Sequence, residues 1–127
     1  MRSGLPLIAV VDDDESMRAT TADLLEAAGF AAEAFPSGEA FLGSGRLQDV
    51  ACLITDMRMP GMSGLALHDR LVASGHPIPT VLITAYGDEP VRARALAAGV
   101  SCYLIKPFTA EELLACVDQA IEAGAKR

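Results

Sequence analysis

No stretch of roughly 18 or more consecutive apolar residues occurs in this 127-residue chain, so the sequence offers no membrane-spanning helix. The first residues, Met1-Arg2-Ser3-Gly4, lack the long apolar core of a secretory signal. A cytoplasmic protein without a membrane partner is the expectation. Positive charge is also scarce. Ten Lys and Arg stand against 17 Asp and Glu, a net charge of −7. Duplex DNA demands a basic face, so no nucleic-acid contact is expected from this domain itself. Cysteine is sparse, and Cys52, Cys102 and Cys116 match neither zinc-knuckle nor CxxC spacing. Cys52 and Cys102 lie in apolar stretches and Cys116 in a helical pattern, so reduced core thiols are expected. His68 and His76 have no partner at useful spacing and are expected at the surface or in loops. Repeats, low-complexity tracts and linkers are missing too. The whole chain, 1–127, is expected to be one domain with its core over about 5–123 and residues 124–127 as a tail or the start of a linker.

What is present is a 51% hydrophobic chain, enough to build a full core without disulfides or structural metal. Leu7 to Val11 reads as a short, fully buried strand. Asp14 to Ala28 reads as a helix with Met17, Thr21, Leu24, Leu25 and Ala28 on one face and Gly29 as the stop. Phe30–Phe35, Ala51–Thr55, Thr80–Thr84 and Val100–Ile105 supply four further strands. Helices are expected from Glu39 to Leu42, from Gly64 to Ala73 with Leu67 and Leu71 inward, and after Gly87-Asp88-Glu89-Pro90. Asp88 is the expected cap of that helix, Val91, Ala95 and Ala98 its shared face, and Gly99 its end. Thr109 and Glu112 form a capping box for the last helix, whose apolar stripe is Leu113, Leu114, Val117, Ala120 and Ile121. Strands alternating with helices imply a parallel sheet covered on both faces. The expected fold is an α/β three-layer sandwich of flavodoxin-like (βα)5 type, with sheet order 2-1-3-4-5.

Four of the apolar runs end in polar residues. Val10-Val11 leads to Asp12-Asp13, Leu53-Ile54-Thr55 to Asp56, Val81-Leu82-Ile83 to Thr84, and Tyr103-Leu104-Ile105 to Lys106-Pro107. In a parallel sheet these ends meet in one crevice at its carboxyl edge. The run Asp12-Asp13-Asp14-Glu15 concentrates like charge that a cation would relieve. Oxygen-only ligands suit a hard ion such as Mg²⁺ (or Mn²⁺), which takes one or two carboxylates plus waters and phosphate oxygens. Lys106 is a point charge able to hold a phosphoryl oxygen. The Thr84 hydroxyl and the Ala85 N–H are further donors. Asp56, alone on the middle strand, is the nucleophile of choice. Lys106-Pro107 is a candidate cis peptide that would aim the ammonium inward. Each element alone has an ordinary explanation: a helix cap, a loop hydroxyl, a solvated charge. Their joint placement on four strand ends points to phosphorylation of an aspartate.

The chain resembles response-regulator receiver domains over essentially its whole length. The matching features are Asp12-Asp13, the segment Asp56-Met57-Arg58-Met59-Pro60-Gly61-Met62-Ser63-Gly64, Thr84-Ala85 and Lys106-Pro107-Phe108. Phe41-Leu42, Tyr86-Gly87-Asp88-Glu89-Pro90 and Lys106-Pro107-Phe108 are similar to the FixJ-type subgroup. The resemblance implies a phosphoacceptor in two-component signalling rather than a turnover enzyme, although one that assists its own phosphorylation and dephosphorylation. It implies that Asp56 takes a phosphoryl group from a sensor histidine kinase, with Mg²⁺ held by Asp13, Asp56 and the Arg58 carbonyl and with Asp12 acting through water. Thr84 and Lys106 would hold phosphoryl oxygens. Thr84 and Tyr103 would form the switch, whose alternative reading is a half-buried strand aromatic at Tyr103. Arg58 and Tyr86 would flank the phosphoryl group and govern the approach of water. Phosphorylation would then favour a homodimer through the fourth helix, fifth strand and last helix. The FixJ-type likeness suggests the amino-terminal part of a transcriptional regulator; a free-standing receiver without DNA-binding output is the alternative. Two other classes compete. A haloacid-dehalogenase-type phosphatase would use Asp12-Asp13-Asp14-Glu15-Ser16, but its fold needs a longer chain and leaves Asp56-Met57-Arg58-Met59-Pro60 without a role. A flavodoxin-like small-molecule binder would need a glycine-rich phosphate loop that the first strand lacks.

Overall fold

The computed structural model describes residues 5–85, 87 and 89–125. Tyr86 and Asp88, expected at the site's rim and at a helix cap, lie outside the described residues. The first strand, β1 (Leu7–Val11), is buried along its whole length, as a strand covered on both faces must be. The first helix, α1 (Glu15–Ala27), opens on Asp14, whose carboxylate accepts from the N–H groups of Ser16 and Met17 at 2.9 and 3.2 Å. This satisfies two of the donors that a helix start leaves open. Gly29, at φ 99°, adopts the left-handed conformation that ends this helix at little steric cost. There follow β2 (Ala31–Phe35), α2 (Gly38–Leu42), β3 (Val50–Asp56), α3 (Gly64–Ala73), β4 (Thr80–Thr84), α4 (Glu89–Ala97), β5 (Cys102–Ile105) and α5 (Ala110–Ala125). A single 3-10 turn over Leu47–Asp49, in a stretch that offers no helical periodicity, precedes β3.

All five strands are parallel, in the order β2-β1-β3-β4-β5. Successive strand residues point to opposite faces, and this sorts the core into layers. Ile8, Val10, Cys52, Ile54, Val81 and Ile83 meet Leu25 of α1 and Leu113 and Val117 of α5. Ala9, Val11, Phe35 and Leu53 meet Phe41 of α2 and Leu67 and Leu71 of α3. A smaller group, Leu65, Leu82, Ala95 and Val100, lies where α4 covers the sheet, with Tyr103 packed against it. The capping box of α5 is made as its spacing requires. The Glu112 N–H donates to the Thr109 hydroxyl at 3.0 Å, and the Thr109 N–H donates to the Glu112 carboxylate at 2.8 Å.

Two expectations are corrected. His68 is neither a surface nor a loop residue. It sits inside α3 at 4% exposure, on the inner face with Gly64, Leu65, Leu67 and Leu71. Its Nδ1 is 3.5 Å from the Asp69 carboxylate, too long and poorly aligned for a hydrogen bond. Cys102 and Cys116 are not separate reduced thiols. A disulfide joins them, linking β5 to α5 across a Cα–Cα distance of 5.8 Å. Cys52 alone is free; it is buried, and burial pushes its thiol up to about 12.

Candidate functional site

The carboxyl ends of β1 and β3 are adjacent, because Val11 pairs with Thr55 in register. The next residues bring Asp12, Asp13 and Asp56 together. One carboxylate oxygen from each lies within 4.8 Å of the others. The loop bearing Asp12 is braced from three sides. Its N–H donates to the Phe35 carbonyl at 3.2 Å. The Arg18 guanidinium of α1 donates to its carbonyl at 2.8 Å, and the Asp14 N–H donates to its carboxylate at 2.9 Å. Sequence spacing gives no signal for the bracing by Arg18 beyond its place near the start of α1, after the acidic run.

Asp56 ends β3. The Arg58 N–H donates to its carboxylate, and the Lys106 ammonium lies 3.2 Å from its Oδ1. Lys106 reaches it because β5 ends beside β4: the Lys106 N–H donates to the Thr84 carbonyl at 2.8 Å, and the Lys106–Pro107 peptide is cis. Thr84, at the end of β4, is 3% exposed, while Ala85 after it is exposed. Tyr103 lies mid-strand on β5, partly buried against the α4 layer. A cavity of about 500 Å³ opens alongside, lined by Met57, Arg58, Met59, Pro60, Ser63, Thr84 and Val91.

Burial is the main reason that both Asp12 and Asp56 hold their protons more tightly than a solvated aspartate. At Asp56 the Lys106 ammonium opposes this, and the charge of Asp13 adds to it. At Asp12 the hydrogen bond from Asp14 opposes it, and the charge of Asp56 adds to it. One ammonium among three carboxylates leaves two negative charges uncompensated. At this separation each like-charge contact costs about 3 kcal/mol for an effective dielectric near 20.

This donor set fits a hard divalent cation. Three carboxylate oxygens within 4.8 Å of one another are hard anionic donors of the kind that Mg²⁺ takes, with waters completing its shell.

A consequence follows for stability. Folded Asp12 keeps its proton to higher pH than the 3.8 of a free side chain, so between those values the folded state binds more protons than the unfolded one. Its charge therefore destabilises the metal-free fold at neutral pH; the penalty shrinks as pH falls below the raised value and is gone below 3.8. Asp12→Asn, which keeps an acceptor for the Asp14 N–H, is expected to add about 1 kcal/mol and about 4 °C in chelator at pH 7. The gap to wild type should close on acidification, and Mg²⁺ should stabilise the variant less than the wild type. Thermal unfolding across pH checks this; a variant less stable than wild type at pH 7 without metal would contradict it.

Comparison with known proteins agrees with this geometry. The family model described as "Response regulator receiver domain" matches residues 8–118. The chain is 37% identical over 127 residues to the transcriptional regulatory protein FixJ of Azorhizobium caulinodans, covering all of this chain and 60% of that protein. It is 35% identical over 116 residues to the response regulator protein TodT of Pseudomonas putida, covering 91% of this chain and 51% of that one. Among solved structures, the crystal structure of FixJ-N superposes with a TM-score of 0.83 at 35% identity, covering 96% of both chains. The low-resolution structure of the response regulator StyR superposes with a TM-score of 0.89 at 44% identity, covering 98% of this chain and 63% of that one. This chain belongs to the response regulator receiver domain family. It spans between half and three fifths of the length of these two curated relatives.

Proposed function

We propose that this domain, over residues 1–127 with its core at about 5–123, accepts a phosphoryl group on Asp56 from a phosphohistidine of a sensor histidine kinase. The observation that carries this reading is the convergence of Asp12, Asp13 and Asp56 within 4.8 Å, with the Lys106 ammonium 3.2 Å from Asp56. An Asp56 carboxylate oxygen attacks phosphorus in line, and the bond from phosphorus to the donor nitrogen breaks as the new O–P bond forms. Lys106 moves from Asp56 to a phosphoryl oxygen, keeping its charge paired throughout. The Thr84 hydroxyl turns to a second oxygen, and the Ala85 N–H serves a third. Asp12, Asp13, Asp56 and the Arg58 carbonyl would hold Mg²⁺ (or Mn²⁺), which when bound neutralises charge on the transferring group. The groove lined by Met17, Thr21, Leu24, Lys106 and Phe108, about 420 Å³, reaches the crevice through Lys106 and suits a docked phosphodonor.

The phosphorylated aspartate adds strong acceptors beside Thr84, and the shift of Thr84 leaves room for Tyr103 to turn inward behind it. The elements next to these residues are α4, β5 and α5. This face carries exposed Leu96 and Ile105, basic Arg92 and Arg94 on α4, and acidic Glu111, Asp118 and Glu122 on α5. Apolar patches ringed by opposite charges favour a homodimer. The match to 60% of one regulator and 51% of another supports a role as one part of a longer protein, which we place as the amino-terminal part of a cytoplasmic transcriptional regulator with DNA contact made by its other part. A small acyl phosphate with Mg²⁺ is expected to add one phosphoryl group by intact mass, and chelator to prevent it. Sedimentation velocity should then show a larger dimer fraction in the phosphorylated form. Identical monomers before and after labelling would remove the proposed face from the mechanism.

A further inference from the structure

We propose that Cys102 and Cys116 form a reversible dithiol–disulfide couple that clamps β5 to α5 and so restrains rearrangement of the α4–β5–α5 face. The consequence for signalling rests on the phosphorylation reading above; the clamp itself does not. Strand β5 has two faces with different jobs. Cys102 packs toward the layer shared with α5, where Cys116 is buried at 8% exposure. Tyr103, the next residue, points the other way into the layer shared with α4. The bond therefore ties one face of the strand to α5 while the other carries the aromatic expected to move. A shift of β5 against α5 has to strain this cross-link, whereas two thiols would slide. Among the described residues it is the only covalent tie between elements, and it joins positions 14 apart in sequence. The third cysteine does not interfere, since Cys52 lies at 0% exposure in the centre of the sheet. In the cytoplasm a disulfide is characteristically transient or redox-sensing rather than a permanent staple.

The exchange partner is a low-molecular-weight thiol of the glutathione class. Cys102 is the more exposed of the two residues, so the small thiolate attacks there. The S–S bond breaks, its electron pair leaves on Cys116, and that thiolate takes a proton from water. A second small thiolate attacks the mixed disulfide at the small-molecule sulfur and releases Cys102. The net change is one protein disulfide and two small thiols becoming two protein thiols and one small disulfide. Oxidation is the reverse and consumes the small disulfide.

The test uses the full chain equilibrated in glutathione buffers of graded ratio. Denaturing alkylation and intact mass should count one modified cysteine in the oxidised form and three in the reduced form, reversibly. Amide hydrogen exchange on the two forms should be faster in β5 and α4 of the reduced one, and unchanged in β1 and β3. With Asp56 phosphorylated, the disulfide-to-dithiol ratio at fixed buffer should fall about fivefold, a coupling of ordinary size, and reduction should raise the dimer fraction reciprocally. Cys116→Ala should behave as the reduced form in any buffer. Failure of the phosphorylation reading would show as no phosphoryl mass gain in either redox state, and the exchange comparison would still decide the clamp. Equal exchange in forms whose masses prove the bond intact and cut would overturn the proposal. So would a bond that glutathione never opens.

Discussion

Asp56→Asn is expected to abolish phosphoryl incorporation from both a small acyl phosphate and a kinase, by intact mass, while leaving the fold intact. The amide keeps the size and one acceptor for the Arg58 N–H, yet its oxygen is a far weaker nucleophile. The neighbouring carboxylates are no substitute. Asp12 is held by the Asp14 N–H, and both Asp12 and Asp13 stand at the end of a different strand from Asp56, so neither is aligned where Lys106 points. The effect is therefore all-or-none rather than graded. The charge change should also stop Mg²⁺ from stabilising the domain to the wild-type extent, since one of three converging carboxylates is gone. Labelling of the variant at the wild-type level would move the nucleophile elsewhere and end the assignment.

A second large effect is expected at Gly64, which makes no chemistry at all. It opens α3 immediately behind Asp56, and its N–H donates to the Met57 carbonyl at 3.0 Å. A methyl group there would collide with the backbone carbonyl of Asp56 and come within 2.7 Å of the Leu82 Cδ1. Leu82 can adjust a rotamer, but the carbonyl belongs to the strand that positions the nucleophile. Gly64→Ala is expected to cost about 3 kcal/mol, at the upper end for overpacking, because backbone rather than a flexible tip must yield. The favourable helix propensity of alanine is a smaller term, about 1 kcal/mol. The phosphorylation rate should drop as well, since a displacement of about 1 Å at the nucleophile breaks the in-line geometry. Chemical denaturation and labelling kinetics on the same sample read both. A variant as stable as wild type would show that α3 can back away from β3 freely.

Much of this architecture was legible because its signals are local and redundant. Each strand is a short apolar run, each helix has a stripe or cap, and strands alternate with helices throughout; the sheet order follows from that alternation. The crevice followed from topology: five polar residues at four strand ends converge once the strands are parallel. What escaped was long-range or overruled by residue type. His68 follows Leu67, precedes Leu71 by three positions and follows Gly64 by four, a spacing that marks the inner face of α3. The polar character of histidine obscured a periodicity that was there to be read. The Cys102–Cys116 link had no such trace, since it depends on how far along β5 the first turns of α5 lie. The bracing of Asp12 by Arg18 is likewise a matter of three-dimensional reach. In α4 the shared face reduces to Ala95 as its fully buried residue, while Ala98 is exposed beyond the helix end.

A helix moored by a single buried alanine has little packing to lose when it is displaced. Four residues separate it from the strand that ends in Thr84, so the part of the molecule with least packing lies next to the proposed phosphorylation site. By contrast β1 and β3, buried between two apolar layers, have much packing to lose. Substitutions on the exposed surface of α4 should therefore alter its contacts with little effect on folding, which makes it the most adjustable side of the face it shares with β5 and α5.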